Sequence, residues 1–380
     1  MSITHPSGDR LHIGYCSNVH AGEDVSAIVD QLHRFAGPVR RRLEWPRLAV
    51  GLWLPVTAVG ELRDPARLDE LRGALADEQL EVVSLNGFPY EAFHAPVVKH
   101  AVYRPSWAEP TRLSYTLELA ALLHRLLPAD ATSGSISTLP FGWRYPWTPE
   151  MTATARGALS QLADGLARLA DEHGRAVRVA LEPEPGCVIE TTGQAVEALR
   201  DLRPEWIGLC VDACHLAVQF EDPAPSLATV VADGVPVVKA QLSCALRTSG
   251  TDAAQTLAPF VEPRFLHQAR QQVDGRVAGV DDLDDALRGG LAAAGEWRVH
   301  FHVPVHADPD RTTQAELVQT IAALVHAKHP LTTHLEVETY TWSVLPGRAR
   351  PKDEEDLVEG ITKELAWVAD AIEDSLEEKT

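Results

Sequence analysis

Short apolar runs rich in Val, Ile and Leu alternate with amphipathic stretches along almost the whole chain. The runs fall at 11–16, 48–54, 81–85, 135–139, 177–181, 207–211, 235–242 and 334–337. Between them, apolar residues recur at helical spacing over 24–35, 64–78, 111–126, 151–173, 192–202 and 313–327. Asp24, Thr111, Thr192 and Thr313 stand where N-caps or first-turn residues belong. Strands covered on both faces read as continuous apolar runs, and an intervening helix makes neighbouring strands parallel. Eight such units predict a closed (β/α)8 barrel, the TIM-barrel architecture. An open, doubly wound sheet is the competing architecture. Against it, the first strand leads into Ser17-Asn18-Val19-His20-Ala21-Gly22 rather than a glycine-rich phosphate loop.

One stretch breaks the rhythm. Residues 248–312 contain a helix-like segment at 263–273, an acidic segment at 281–287 and an extra strand over 297–305. They read as an insertion after strand seven within a single domain of residues 1–380. Residues 353–380 are acidic and amphipathic and predict a last helix.

The residues that carry chemistry cluster where strands end. Alternation along a strand points Glu182 inward after strand five and Asp212 inward at the end of strand six. The same parity turns Lys239 and Gln241 inward on strand seven, and Glu336 and Glu338 on strand eight. In such barrels the site lies at the carboxyl ends of the strands. Buried carboxylates repel one another and are costly to desolvate, and a divalent cation between them removes both problems. Glu182, Asp212, Gln241 and Glu338 are therefore the candidate metal ligands. An oxygen-dominated set suits Mn, Mg or Co, with Zn as a further candidate. Gln241 reads equally well as a lining residue, and Glu184 and Glu336 as supporting or solvated ones. Asn18, His20, Asn86, Phe88, Tyr90, Phe141 and Trp143 follow other strands and are candidates for lining the pocket or for ordinary loop packing. His300 and His302 share one strand face; they pair at a strand edge or, if the insertion folds over the barrel mouth, supply His302 as an imidazole ligand.

Composition narrows the partners. The chain has 34 Lys and Arg against 54 Asp and Glu, a formal charge of −20, which argues against a nucleic-acid partner. No apolar run approaches membrane-spanning length. Met1 to Arg10 is polar, and the five cysteines form no CxxC pair, so the expected compartment is a reducing cytoplasm.

Leu181-Glu182-Pro183, Val211-Asp212-Ala213-Cys214-His215 and the terminal Glu338 resemble the metal-ligand series of the xylose isomerase-like TIM barrels. That resemblance implies sugar isomerase or epimerase chemistry, with Glu182 and Glu338 both binding metal and moving protons at carbon. It implies Asp212 as a ligand, and His215 and Arg247 as substrate-binding residues, with Gln241 where the family usually has His. Tyr15-Cys16-Ser17-Asn18-Val19-His20-Ala21-Gly22-Glu23, Asn86-Gly87-Phe88-Pro89-Tyr90, His300-Phe301-His302-Val303-Pro304-Val305 and Leu335-Glu336-Val337-Glu338-Thr339-Tyr340-Thr341-Trp342 are similar to the subgroup called metabolite traffic protein EboE. This implies a secondary-metabolite biosynthesis or export cluster, with other proteins of that cluster as partners. Two readings stay open. One is a metal-dependent isomerase or epimerase of a small polar metabolite, with Lys239 or His215 stabilising enediolate charge. The other is a non-catalytic metabolite-binding or trafficking protein with a retained metal site. An AP endonuclease would need more His ligands and a basic groove.

Overall fold

Eight parallel strand positions close on themselves in a computed structural model, which describes residues 2–377. The strands in chain order are β1 (Ser2–Thr4), β2 (Arg10–Cys16), β3 (Leu48–Trp53), β4 (Leu80–Glu81), β5 (Ser84–Asn86), β6 (Ser133–Thr138) and β7 (Ala176–Leu181). They continue as β8 (Ile207–Asp212), β9 (Val237–Leu242), β10 (Cys244–Ser249), β11 (Ala269–Val273), β12 (Arg276–Val280), β13 (Glu296–Val303) and β14 (His334–Val337). The barrel runs β2, β3, the interrupted β4–β5, β6, β7, β8, β9 and β14, and closes by parallel pairing of β14 with β2. β1 adds antiparallel to β2. Each expected apolar run carries its strand, because strands covered by helices outside and by side chains inside leave no polar alternation to obscure them.

Local chemistry starts and stops the helices. Thr191 forms a capping box with Gln194 ahead of Thr192–Leu199, and Asp24 accepts from the Ala27 amide ahead of Val25–Gln31. Gly174 ends Pro149–His173 in the left-handed region at φ 72°. The last helix is Glu354–Glu377; residues 378–380 of the expected one lie outside the described residues. No helix among the described residues is long and apolar enough to cross a membrane.

A second, four-stranded antiparallel sheet lies in sequence between β9 and β14, in the order β10, β13, β11, β12. The helix expected at 263–273 is not there. Instead β11 and β12 form a hairpin whose two-residue loop is Asp274-Gly275, both at positive φ. Asp-Gly is a strong hairpin signal, and it overrides the helical spacing upstream. Val299, Phe301 and Val303 of β13 belong to the same apolar core as the barrel.

Polar residues fill part of the barrel interior in layers. Near the N-terminal end of the strands, His12 bonds Glu81 and His334 bonds Ser135. Above them the Lys239 ammonium lies 2.7 Å from the Glu336 carboxylate. Gly51 makes room for that carboxylate: a Cβ there would lie 2.1 Å from Glu336 Oε2. The next layer up is the candidate site.

Candidate active site at the C-terminal mouth of the barrel

Asp212 ends β8 and caps the short helix Ala213–Val218. Its Oδ1 accepts from the His215 amide at 3.0 Å and the Ser243 hydroxyl at 2.8 Å. That fixes the carboxylate and leaves Oδ2 buried without a hydrogen-bond partner. Glu182 follows β7, its amide on the Thr138 carbonyl of β6. Glu338 follows β14, and its Oε1 accepts 2.8 Å bonds from both Asn18 and Asn86. Oxygens of Glu182, Asp212 and Glu338 all lie within 4.8 Å of one another, and all three residues are buried. Gln241 pairs in register with Asp212 on one side and Glu336 on the other.

This layer is polar and unsatisfied. Glu182 Oε2, Asp212 Oδ2 and both side-chain polar atoms of Gln241 are buried without partners. A buried polar atom left unpaired costs about 1–3 kcal/mol, and more when charged. Burial, then the Glu338 and Asp212 charges, pushes the Glu182 carboxyl well above the carboxylate range. Burial likewise raises Glu338 to about 7. Glu184 is raised to about 8 by burial, against hydrogen bonds from Tyr103 and Gln268. Three converging carboxylates, with unpaired oxygens among them and acid groups hard to ionise, are the donor set a hard divalent cation relieves.

Three imidazoles form the opposite wall. β13 brings His300 and His302 over the barrel mouth, where His300 Nε2 lies 3.1 Å from His215 Nε2 and 3.2 Å from His302 Nε2. His302 Nε2 and His215 Nε2 each lie 3.9 Å from Asp212 Oδ2. Burial lowers His215 to about 4, and burial with two neighbouring rings holds His300 well below its usual range. Much of the remaining rim is apolar: Phe88, Phe93, Val98, Phe265, Leu266 and Tyr340 line the same pocket as the acids and imidazoles, together with Lys99, which pairs with Asp282.

Of the residues singled out in the sequence, Asn18, Asn86, Phe88, Glu182, Glu184, His215, His300, His302 and Glu338 line this pocket, while Asp212 is fully buried beside them. Six candidates are placed elsewhere, two of them in ordinary packing: Tyr90 against Tyr115 and Phe141 against Trp147. Lys239 is turned into the deeper layer by Glu336, so its charge is already compensated. His20 bonds Tyr15 and stacks on Phe35 with ring centroids 4.3 Å apart. Trp143 packs against Tyr103 and lines a neighbouring hollow with His100 and Arg144. Arg247 reaches Glu316 at 3.6 Å, on the helix Gln314–Val325. Glu184 and Glu336 are both buried rather than solvated. Gln268 and Tyr103 are additions: both bond Glu184, and nothing in their local sequence marks them.

The family of xylose isomerase-like TIM barrels matches residues 54–243, which contain Glu182, Asp212, His215 and Gln241. The chain belongs to that family. Solved structures share the fold across the whole barrel. A D-tagatose 3-epimerase-like protein superposes with a TM-score of 0.54 at 11% identity, covering 97% of this chain and 100% of its own. An L-ribulose 3-epimerase gives 0.53 at 13% identity, covering 97% and 96%. A xylose isomerase-like TIM barrel protein from Mycobacterium smegmatis, in complex with magnesium, gives 0.50 at 16% identity, covering 98% and 94%. At these identities the likeness is one of fold. No curated protein matches the chain by sequence.

Proposed function

We propose that this xylose isomerase-like barrel is a divalent-metal-dependent isomerase or epimerase acting on a small, sugar-like metabolite. The observation that carries the reading is the buried triad Glu182, Asp212 and Glu338, which bring one oxygen each within 4.8 Å of one another, with Glu182 and Asp212 each keeping an unpartnered oxygen. Glu182, Asp212, Gln241 and Glu338 would hold the ion, and the orphaned oxygens of Glu182, Asp212 and Gln241 fit one. When bound, such an ion polarises carbonyl and hydroxyl oxygens. Glu182 and Glu338 are the acid–base pair. Glu338 is oriented for that role by the amides of Asn18 and Asn86. The apolar rim excludes water and gives a ring-shaped or alkyl-bearing substrate a face to lie on. The epimerases among the structural neighbours agree with this reading in fold.

The finer context is also a proposal. Residues 248–312 form an insertion within one domain, and the EboE-like segments point to a cytoplasmic protein of a secondary-metabolite biosynthesis or export cluster. The test is proton exchange at carbon. In deuterium oxide, the metal-loaded protein should incorporate deuterium into a ketose or cyclitol of a broad panel. Glu182→Gln and Glu338→Gln should each abolish it, because each keeps the shape and removes the base. Metal and ligand binding without exchange across the panel would overturn the enzyme reading in favour of a metabolite-binding role.

A further inference from the structure

The floor of the barrel holds a cation that no acid answers. Strand parity turns Ser133 and Ser135 of β6, Arg178 of β7 and His334 of β14 toward the axis. Arg178 pairs in register with Ser135, two residues before the Ser137 hydroxyl that Lys239 reaches at 3.4 Å. Its Nε is buried without a partner, and no hydrogen bond or ion pair reaches the rest of the guanidinium among the described residues. In a chain of formal charge −20, an inward-facing cation with no acid beside it stands apart. The acids of the layers above are already taken: Glu336 by Lys239, and Glu81 by Arg10 and His12.

Arg178 and His334 line one hollow of about 180 Å³ at the N-terminal end of the strands, bordered also by Ser133, Thr332 and Thr333. No Asp or Glu is among its lining residues. His334 is 5% exposed; its Nδ1 lies 2.7 Å from the Ser135 hydroxyl, and its Nε2 bonds no group of the described residues. Burial, then the cationic groups His12, Lys239 and Arg178, lower the ring to about 3, so it stays neutral. A neutral ring that accepts at Nδ1 from Ser135 carries its hydrogen on Nε2. The hollow thus offers a guanidinium fork, an imidazole N–H and hydroxyls.

We propose that this hollow binds a small tetrahedral oxyanion of the phosphate class, with Arg178 as its principal ligand and His334 and the hydroxyls completing the shell. The planar fork of an arginine matches two oxygens of such an ion, and a charge-assisted bond is about twice as strong as a neutral one. Inorganic phosphate and the phosphate group of a small metabolite share this chemistry. The hollow is at the opposite end of the barrel from the acid layer, so the inference stands independently of the proposed reaction and is tested without it.

The full-length protein is titrated with inorganic phosphate in a calorimeter, at an ionic strength held constant with chloride. The wild type should bind one ion per chain, and its thermal unfolding should rise along the same saturation curve. General stabilisation by an excluded salt does not saturate. Arg178→Gln should weaken binding by at least about tenfold, and Arg178→Lys, which keeps the charge and loses the fork, by less. In chloride alone Arg178→Gln should be at least as stable as the wild type, because the guanidinium has no partner to lose. A sugar phosphate run in parallel separates the sources: tighter binding than the free ion assigns a metabolite's phosphate group, weaker binding assigns the free ion. No saturable phosphate binding in the wild type, a measurement that depends on no variant, overturns the proposal. So does undiminished binding in Arg178→Gln, which would place the ion elsewhere on the chain.

Discussion

Glu336 and Glu338 stand two residues apart and look into the same barrel, but their surroundings are opposite. Glu336 meets the Lys239 ammonium at 2.7 Å, and Lys239 is fully buried. Glu338 meets Glu182 and Asp212, further acids, with amides rather than a cation as its hydrogen-bond partners. The lower layer is closed electrostatically within the chain. The upper layer is not: burial and the neighbouring acid charges raise the Glu182 and Glu338 carboxyls. The contrast separates charge that completes the fold from charge held ready for something the chain does not itself contain.

Breaking the lower pair should have the largest effect. Lys239→Met leaves the Glu336 carboxylate buried and unpaired, so urea unfolding should show a loss of about 3–5 kcal/mol, largely recovered in the double variant with Glu336→Leu. An undiminished stability in Lys239→Met would erase the distinction between the layers. The upper layer should show instead in the pH dependence of the metal-free protein. Glu338 is raised to about 7 and Glu184 to about 8, each by burial, above the unfolded carboxyl near 4.3. The folded state then holds more protons than the unfolded one, so this contribution is fully present below pH ~4.3 and is lost as pH rises through 7 to 8. Thermal unfolding in chelator should show stability falling over that window, by at most about 1.4 kcal/mol per pH unit for each titrating group. Added divalent metal should reverse the trend, since binding to the folded state stabilises it. The smallest effect belongs to Arg247→Ala. Its partner Glu316 lies outside the pocket, so a change of about 0–1 kcal/mol with unaltered metal content is expected from unfolding and metal assays.

Much of the acid layer is legible in the order of residues alone. Glu182, Asp212 and Glu338 end strands whose apolar runs are uninterrupted, and strand parity turns them to one side. Lys239 shares that parity, yet parity says nothing about depth, and one layer down it meets Glu336. Arg247 and Trp143 lie in or near segments whose direction after the strand is set by what they pack against, and their partners Glu316 and Tyr103 are remote in sequence.

The alternation of apolar runs and amphipathic stretches was enough to specify eight parallel strands, because burial on two faces writes itself into every residue of a strand. It was also enough to send three acids to one end of the barrel. The histidine wall needed the folded chain. His215 and His300 are 85 residues apart, and their meeting depends on a hairpin turned by Asp274-Gly275 and on β13 pairing between β10 and β11. Periodicity records which face of an element is covered. It does not record which distant element covers it, because that choice is settled by register and packing among segments that share no local pattern.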